Sequence, residues 1–191
     1  MAVINLLPLA TNWLKVRKLN STQDEQRFLD LISENRSKIL KVCRVYAWNA
    51  ADQDDLYQEI LFQIWRALPG LKQNAYSGTW LYRVALNTSI SFVRKHARRN
   101  SRATPVGPED LARRIESAQE WDESDDGRVA RLYEAIAQLN ETEKALVVLF
   151  LEDLSYEEIA DAIGLSANHV GVALHRAKKK LSVLMKEAVH E

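Results

Sequence analysis

Asn168, Val172, His175 and Lys179 fall at i, i+4, i+7 and i+11, so a helix through them presents all four on one side. An amide, an imidazole and an ammonium in that register have no partnered acid or nucleophile. What they can do is reach base edges in a major groove, with Arg176, Lys178 and Lys180 beside them suited to phosphates. A second row, Arg83, Asn87, Arg94 and Arg98 with Trp80 above it, suits a single strand: cations for the backbone, a ring for stacking, amide and guanidinium groups for base edges. A third row, Asp55, Glu59, Phe62 and Arg66 with Gln58 beside it, sets an aromatic among charges, the composition of a protein–protein contact. Catalysis finds no support. His96, His169, His175 and His190 lack a triad spacing, no glycine loop cradles phosphate, and one cysteine without a Cys/His cluster gives no metal or cofactor site.

These rows need helices to carry them. Ser155 with Glu158 is a capping box that starts a short helix running to Ile163, Gly164 stops it, and Ser166 caps the next, which is the layout of a helix-turn-helix. Ala160 is small where the two helices cross, and Ile159, Ile163, Leu165 and Val170 are placed for their shared core. Val170, Leu174, Ala177 and Leu181 then form the packing side of the second helix. Upstream, Thr22 with Glu25 caps a helix whose stripe is Phe28, Leu31, Ile32, Asn35, Ile39, Val42, Cys43 and Tyr46. The acidic run 52–55 starts another, with Leu56, Ile60, Ile64 and Leu68 inward and Pro69-Gly70 as its end. Residues 71–78 read as a polar loop, and a long helix follows from Thr79 to Arg99, packing through Leu81, Ala85 and Phe92. Leu132, Ile136 and Leu139 mark a further helix, and Asn140 with Glu143 caps the one that delivers the chain to Ser155. No strand pattern interrupts them, so the chain reads as all-α.

With 191 residues the chain can bury one medium core or two small ones, and its net charge of zero hides a segregation. Residues 60–108 carry eight basic groups and no acid, whereas 109–126 carry eight acids against Arg113 and Arg114. Two polyanion-binding surfaces separated by an acidic tether are the expected organisation. The expected division is an N-terminal extension at 1–22, a helical domain at 23–100, a flexible acidic linker at 101–127 and a four-helix domain with the helix-turn-helix at 128–191. The start, MAVINLLPLA, is a poor signal sequence and too short to span a membrane, so a cytoplasmic protein without membrane insertion is expected.

DQDDLYQEILFQIWRALP followed by TWLYRVALNTSISFVRKHARR resembles conserved region two of bacterial sigma factors. LNETEKALVVLFLEDLSYEEIADAIGLSANHVGVALHRAKKKL resembles region four, and an acidic linker alone joins them, as in the extracytoplasmic-function group. The resemblance implies an alternative sigma factor that binds core RNA polymerase through its beta-prime clamp helices and beta flap, melts a minus-ten element and reads a minus-thirty-five duplex. It assigns Asp55, Gln58, Glu59 and Phe62 to the polymerase. It assigns Lys72, Tyr76, Trp80, Tyr82, Arg83, Asn87, Arg94 and Arg98 to the minus-ten strand, and Asn168, His169, Val172, His175, Arg176 and Lys179 to the minus-thirty-five element. Promoter DNA and an anti-sigma protein are the implied partners, and the linker carboxylates would imitate nucleic-acid phosphates in the polymerase channels.

Two departures stand out. Relatives often carry an aromatic three residues before the tryptophan of TWL, where this chain has Ser77, with Tyr76 one position earlier. Relatives also place basic residues in the recognition helix where this chain has Gly171 and Ala173, which predicts weaker or differently specified duplex binding by the C-terminal domain. The rival readings are a stand-alone helix-turn-helix regulator, which would dimerise on a palindrome although no dimer seam is visible, and a sigma-like decoy for an anti-sigma protein, which would have lost the arginines that this chain keeps.

Overall fold

The computed structural model describes residues 22–68, 78–100 and 127–187, and among them every regular element is an α-helix. Seven helices follow in order: α1 Thr22–Tyr46, α2 Ala50–Ala67, α3 Gly78–Asn100, α4 Gly127–Ala137, α5 Glu141–Leu151, α6 Tyr156–Ile163 and α7 Ala167–Glu187. The loop expected at 71–77, including Lys72 and Tyr76, the acidic linker and the first 21 residues lie outside the described residues.

The apolar stripes account for the packing of α1 to α3 on one another. Leu56, Ile60, Ile64 and Leu68 are completely inaccessible, as are Ile39, Val42 and Cys43 of α1. Each fully buried aliphatic side chain stabilises the fold by about 1.5–3 kcal/mol. Phe28, Leu31 and Asn35 of the predicted α1 stripe are only half-buried, and Phe28 meets Trp65 edge-on, with ring centroids 5.0 Å apart. Helix α2 begins at Ala50, ahead of the predicted acidic start. Asn49 is its cap, accepting from the Asp52 N–H at 2.8 Å. The packing side of α3 contains Thr88 and Ser89, whose hydroxyls donate to the carbonyls of Val84 and Ala85, both at 2.8 Å. Satisfied this way, the hydroxyls enter the core without a desolvated, unpaired group.

Helices α4 to α7 form the C-terminal unit, with α7 packed on each of the other three. Asn140 and Glu143 make the predicted capping box, both bonds at 2.9 Å. The apolar run of α5 is buried from Ala145 to Leu149. That helix is covered on more than one side because α1 and α3 pack against it as well. Helix α3 also packs on α6, and α1 on α4, so one contiguous buried cluster contains Ile39, Ile60 and Leu81 together with Leu146, Ile159 and Leu174.

Candidate nucleic-acid interface

Local signals build the helix-turn-helix. The Ser155 N–H donates to the Glu158 carboxylate at 2.8 Å and the Glu158 N–H to Ser155 Oγ at 3.3 Å; the Ser155 N–H, then the Ser155 side chain, hold the Glu158 carboxyl below its ordinary range. Gly164 takes the left-handed conformation, φ 74°, and its N–H and that of Leu165 both reach the Ala160 carbonyl, at 2.9 and 3.1 Å. Ser166 Oγ then accepts from the His169 N–H at 3.3 Å and starts α7. Ile159 and Val170 are fully buried between the helices, with Ala160 at 8% exposure where they cross. Leu165, expected in that core, is instead exposed, because the left-handed glycine turns the chain outward just before it.

Val170, Leu174 and Ala177 are buried, and Asn168, His169, Val172, His175, Arg176 and Lys179 are all exposed on the rest of α7. The cationic flank is smaller than its sequence suggests. The Lys178 ammonium lies 3.2 Å from the Phe150 ring centroid, and Lys180 pairs with Glu143 at 3.0 Å. Burial works to raise the Glu143 carboxyl, but its bonds to the Asn140 N–H and to Lys180 bring it below the ordinary range. Arg176 and Lys179 remain directed to solvent. Tyr156, at the start of α6, rests its ring edge over Gly171.

The α3 face is organised differently. Asn87, Arg83, Arg94 and Arg98 are exposed and Trp80 is half-buried, but Tyr82 is 2% exposed, inside the molecule. Its hydroxyl donates to Glu152 of the C-terminal unit at 2.8 Å, and burial, then that bond, pushes the phenol well above its ordinary range. Arg83 donates to both the backbone carbonyl and the side chain of Asp161, the latter at 2.8 Å. Arg94 pairs with Glu141 at 2.9 Å. Lys41 reaches the second oxygen of Glu152 at 2.5 Å, and the Tyr46 hydroxyl donates to the Glu141 carbonyl at 3.2 Å. Nearby, Lys144 sits 6.0 Å from the Tyr46 ring and 5.9 Å from that of Trp48; burial lowers its ammonium below the usual range. An open cleft of about 540 Å³ remains between Arg83, Asn87 and the α6–α7 turn.

Sequence reasoning did not find Lys41, Glu141, Glu152 or Asp161. Nothing local marks them, since each partner lies 47 to 111 residues away in the chain. On α2, Asp55 and Glu59 are exposed as expected, while Gln58 and Phe62 are half-buried. Arg66 stands 5.6 Å over the Phe62 ring, so the aromatic on this face is partly covered by its own neighbour one turn on. Among the described residues no cluster of His, Cys, Asp and Glu could hold a metal, and no helix is long and apolar enough to cross a membrane.

The family model for sigma-70 region 2 matches residues 31–99, and that for sigma-70 region 4 matches residues 130–181. The RNA polymerase sigma-H factor of Pseudomonas aeruginosa is 30% identical over 86% of this chain and 91% of its own length. The ECF RNA polymerase sigma factor SigE of Mycolicibacterium smegmatis is 28% identical over 80% of this chain, which spans 59% of that relative. Two solved complexes share the fold. In one, the sigma factor RpoE of Bartonella quintana is bound to the anti-sigma factor NepR (TM-score 0.65, 19% identity, 82% of this chain and 97% of that one). In the other, CnrH is bound to the cytosolic domain of CnrY (TM-score 0.59, 22% identity, 94% and 96%). With regions two and four matched in order over the helices that carry the two candidate faces, this chain belongs to the extracytoplasmic-function group of the sigma-70 family.

Proposed function

We propose that this chain is an alternative sigma factor: it binds core RNA polymerase, reads a minus-thirty-five duplex with α7 and opens the minus-ten element along α3, leaving phosphodiester formation to the polymerase. The observation that carries this reading is the presence in one chain of an exposed recognition helix and a separate helix with arginines and no acidic residue. Duplex recognition and strand capture need different surfaces. Stacked, paired bases are read through a groove, whereas extruded bases must regain about a few kcal/mol of lost stacking from rings, amides and phosphate neutralisation.

In the same proposal, Asp55, Gln58, Glu59 and Phe62 of α2 meet the polymerase clamp helices. Trp80, Arg83, Asn87, Arg94 and Arg98 take the strand with Lys72 and Tyr76, the protein works in the cytoplasm, and an anti-sigma protein is a partner. The domain division 23–100 and 128–191 joined by an acidic linker belongs to this proposal too. Run-off transcription with purified core polymerase on genomic fragments tests it. New discrete transcripts together with core binding are expected, whereas core binding without initiation would favour a decoy. Arg83→Ala or Asn87→Ala should then reduce promoter opening with core binding nearly intact; equal loss of both activities would remove these residues from the strand site.

A further inference from the structure

The centre of the reading side of α7 is apolar. Val172 is 53% exposed in the second turn of the helix, within the part of a recognition helix that reaches base edges. Val170 and Leu174, two residues to either side, are buried, and on a helix that aims Val172 away from the core. Its neighbours one turn before and after are Asn168, His169, His175 and Arg176, all exposed, so polar groups surround an isopropyl group. Gly171 puts no side chain beside it, and the Tyr156 ring, itself exposed, lies over that glycine instead. On the other side Ala173 contributes only a methyl, packed against the core.

A singly exposed aliphatic is ordinary on a protein surface and means nothing by itself. Position gives this one a meaning. When the side chains around it engage a duplex, the isopropyl group is carried against the base edges, and it gains only where it meets an apolar surface. Edges in the major groove are donors and acceptors, and the apolar group they carry is the C5-methyl of thymine. Asn168, one turn before, has the amide that pairs with adenine, and every adenine–thymine pair carries that methyl. Valine suits the contact because a β-branched side chain holds one χ1 rotamer on a helix, so little freedom is lost when it is covered.

We propose that Val172 is a specificity-determining residue that reads a pyrimidine C5-methyl, supplied by thymine or by 5-methylcytosine, in the duplex bound by α7. This rests on the duplex-reading function proposed above and deepens it: the base facing Val172 is selected by a methyl group and not by a hydrogen bond. Val172 carries no charge. It therefore changes which duplex is preferred without changing how many phosphates are neutralised.

The test uses the holoenzyme, assembled from the full chain and core polymerase, on the promoter fragment recovered by run-off transcription. Each thymine of the minus-thirty-five segment is replaced in turn by deoxyuridine, which keeps the base-pair hydrogen bonds and removes only the methyl. Each cytosine is replaced in turn by 5-methylcytosine, which adds it. Anisotropy of the labelled fragments reads affinity. At the position facing Val172, removing the methyl is expected to weaken binding about fourfold, or adding it to cytosine to tighten binding as much, the weight of one buried methyl. A response to deoxyuridine identifies thymine as the source, and a response to 5-methylcytosine identifies the modified base. Val172→Ala favours the helix and shortens the side chain, so it should bring the ratio at that position below about twofold with the salt slope unchanged. No response above about 1.5-fold at any position, or a response of the same size in V172A, would overturn the proposal. Failure of the functional reading is seen separately, as a run-off experiment that yields no promoter, and it would remove this proposal with it.

Discussion

Helices α3 and α7 both carry a row of cations and an asparagine, yet two arginines of one row pair with acids of the other unit while the reading row of the other makes no such pairing. The cause is where the nearest acids lie. Helix α3 contains none, so Arg83 and Arg94 reach across to Asp161 and Glu141. Helix α7 meets its acid inside its own unit, at Glu143, and that pairing removes Lys180 from the reading side without covering it. An acid-free helix is an unfilled electrostatic demand. In a chain of zero net charge, the acids that meet it can come from the chain itself.

The contrast can be broken on its open side first. Replacing Arg176 and Lys179 together by alanine should reduce duplex affinity on the order of 100-fold at low salt and lower the slope of log affinity against log salt by about 2, one for each lost phosphate contact. Arg83→Ala, by comparison, should leave duplex affinity within about twofold of the wild type, because its guanidinium pairs with Asp161 and lies on the other helix. Anisotropy titrations at several salt concentrations measure both. If Arg83→Ala cost as much duplex affinity as the Arg176 and Lys179 pair, the two rows would meet duplex together and the contrast would fail.

A smaller effect separates base reading from charge. Asn168→Ala should weaken binding by about 1–3 kcal/mol and relax preference at one base position, with the salt slope unchanged. Lys178→Ala should do neither, because its ammonium is already placed over Phe150. Comparing both variants across a set of single-base-substituted duplexes decides the matter. A loss for Lys178→Ala as large as that for Asn168→Ala would mean that the lysine leaves the ring to meet DNA.

What the sequence showed and what it hid divide along chain separation. The helix-turn-helix was readable because a capping box, a left-handed glycine and the buried Val170, Leu174 and Ala177 lie within a few turns of each other. The inner side of α2 was readable for the same reason, since four fully buried residues repeat at helical spacing. Burial of Tyr82 was not, because its place in the core and its hydroxyl's acceptor, Glu152, 70 residues away, are both tertiary. The charge run marks α3 as a helix without acids of its own, but composition carries no information on which acids arrive. Lys178 and Lys180 read as phosphate contacts flanking Lys179, and what they meet instead, Phe150 and Glu143, is tertiary and carries no local signal.

Gly171 gives the smallest and most discriminating change. A glycine inside a helix costs about 1 kcal/mol relative to alanine, and from sequence alone it looks like a weakness in the recognition helix. In the structure a β-carbon at this position would lie 3.5 Å from Tyr156 Cε2 and 3.7 Å from Cδ2, ordinary contact distances that need no movement of the ring. Gly171→Ala should therefore stabilise the protein by about 0.5–1 kcal/mol, seen as a rise of about 1–4 °C in Tm. Reduced stability would mean that the ring presses closer to the backbone than this packing allows. Duplex affinity is the second reading, expected to stay within about twofold, since a methyl adds no charge and removes no hydrogen bond. If stability rose while affinity fell, the bare backbone beside Val172 would itself be part of the surface that enters the groove, and the glycine would be there for DNA rather than for Tyr156.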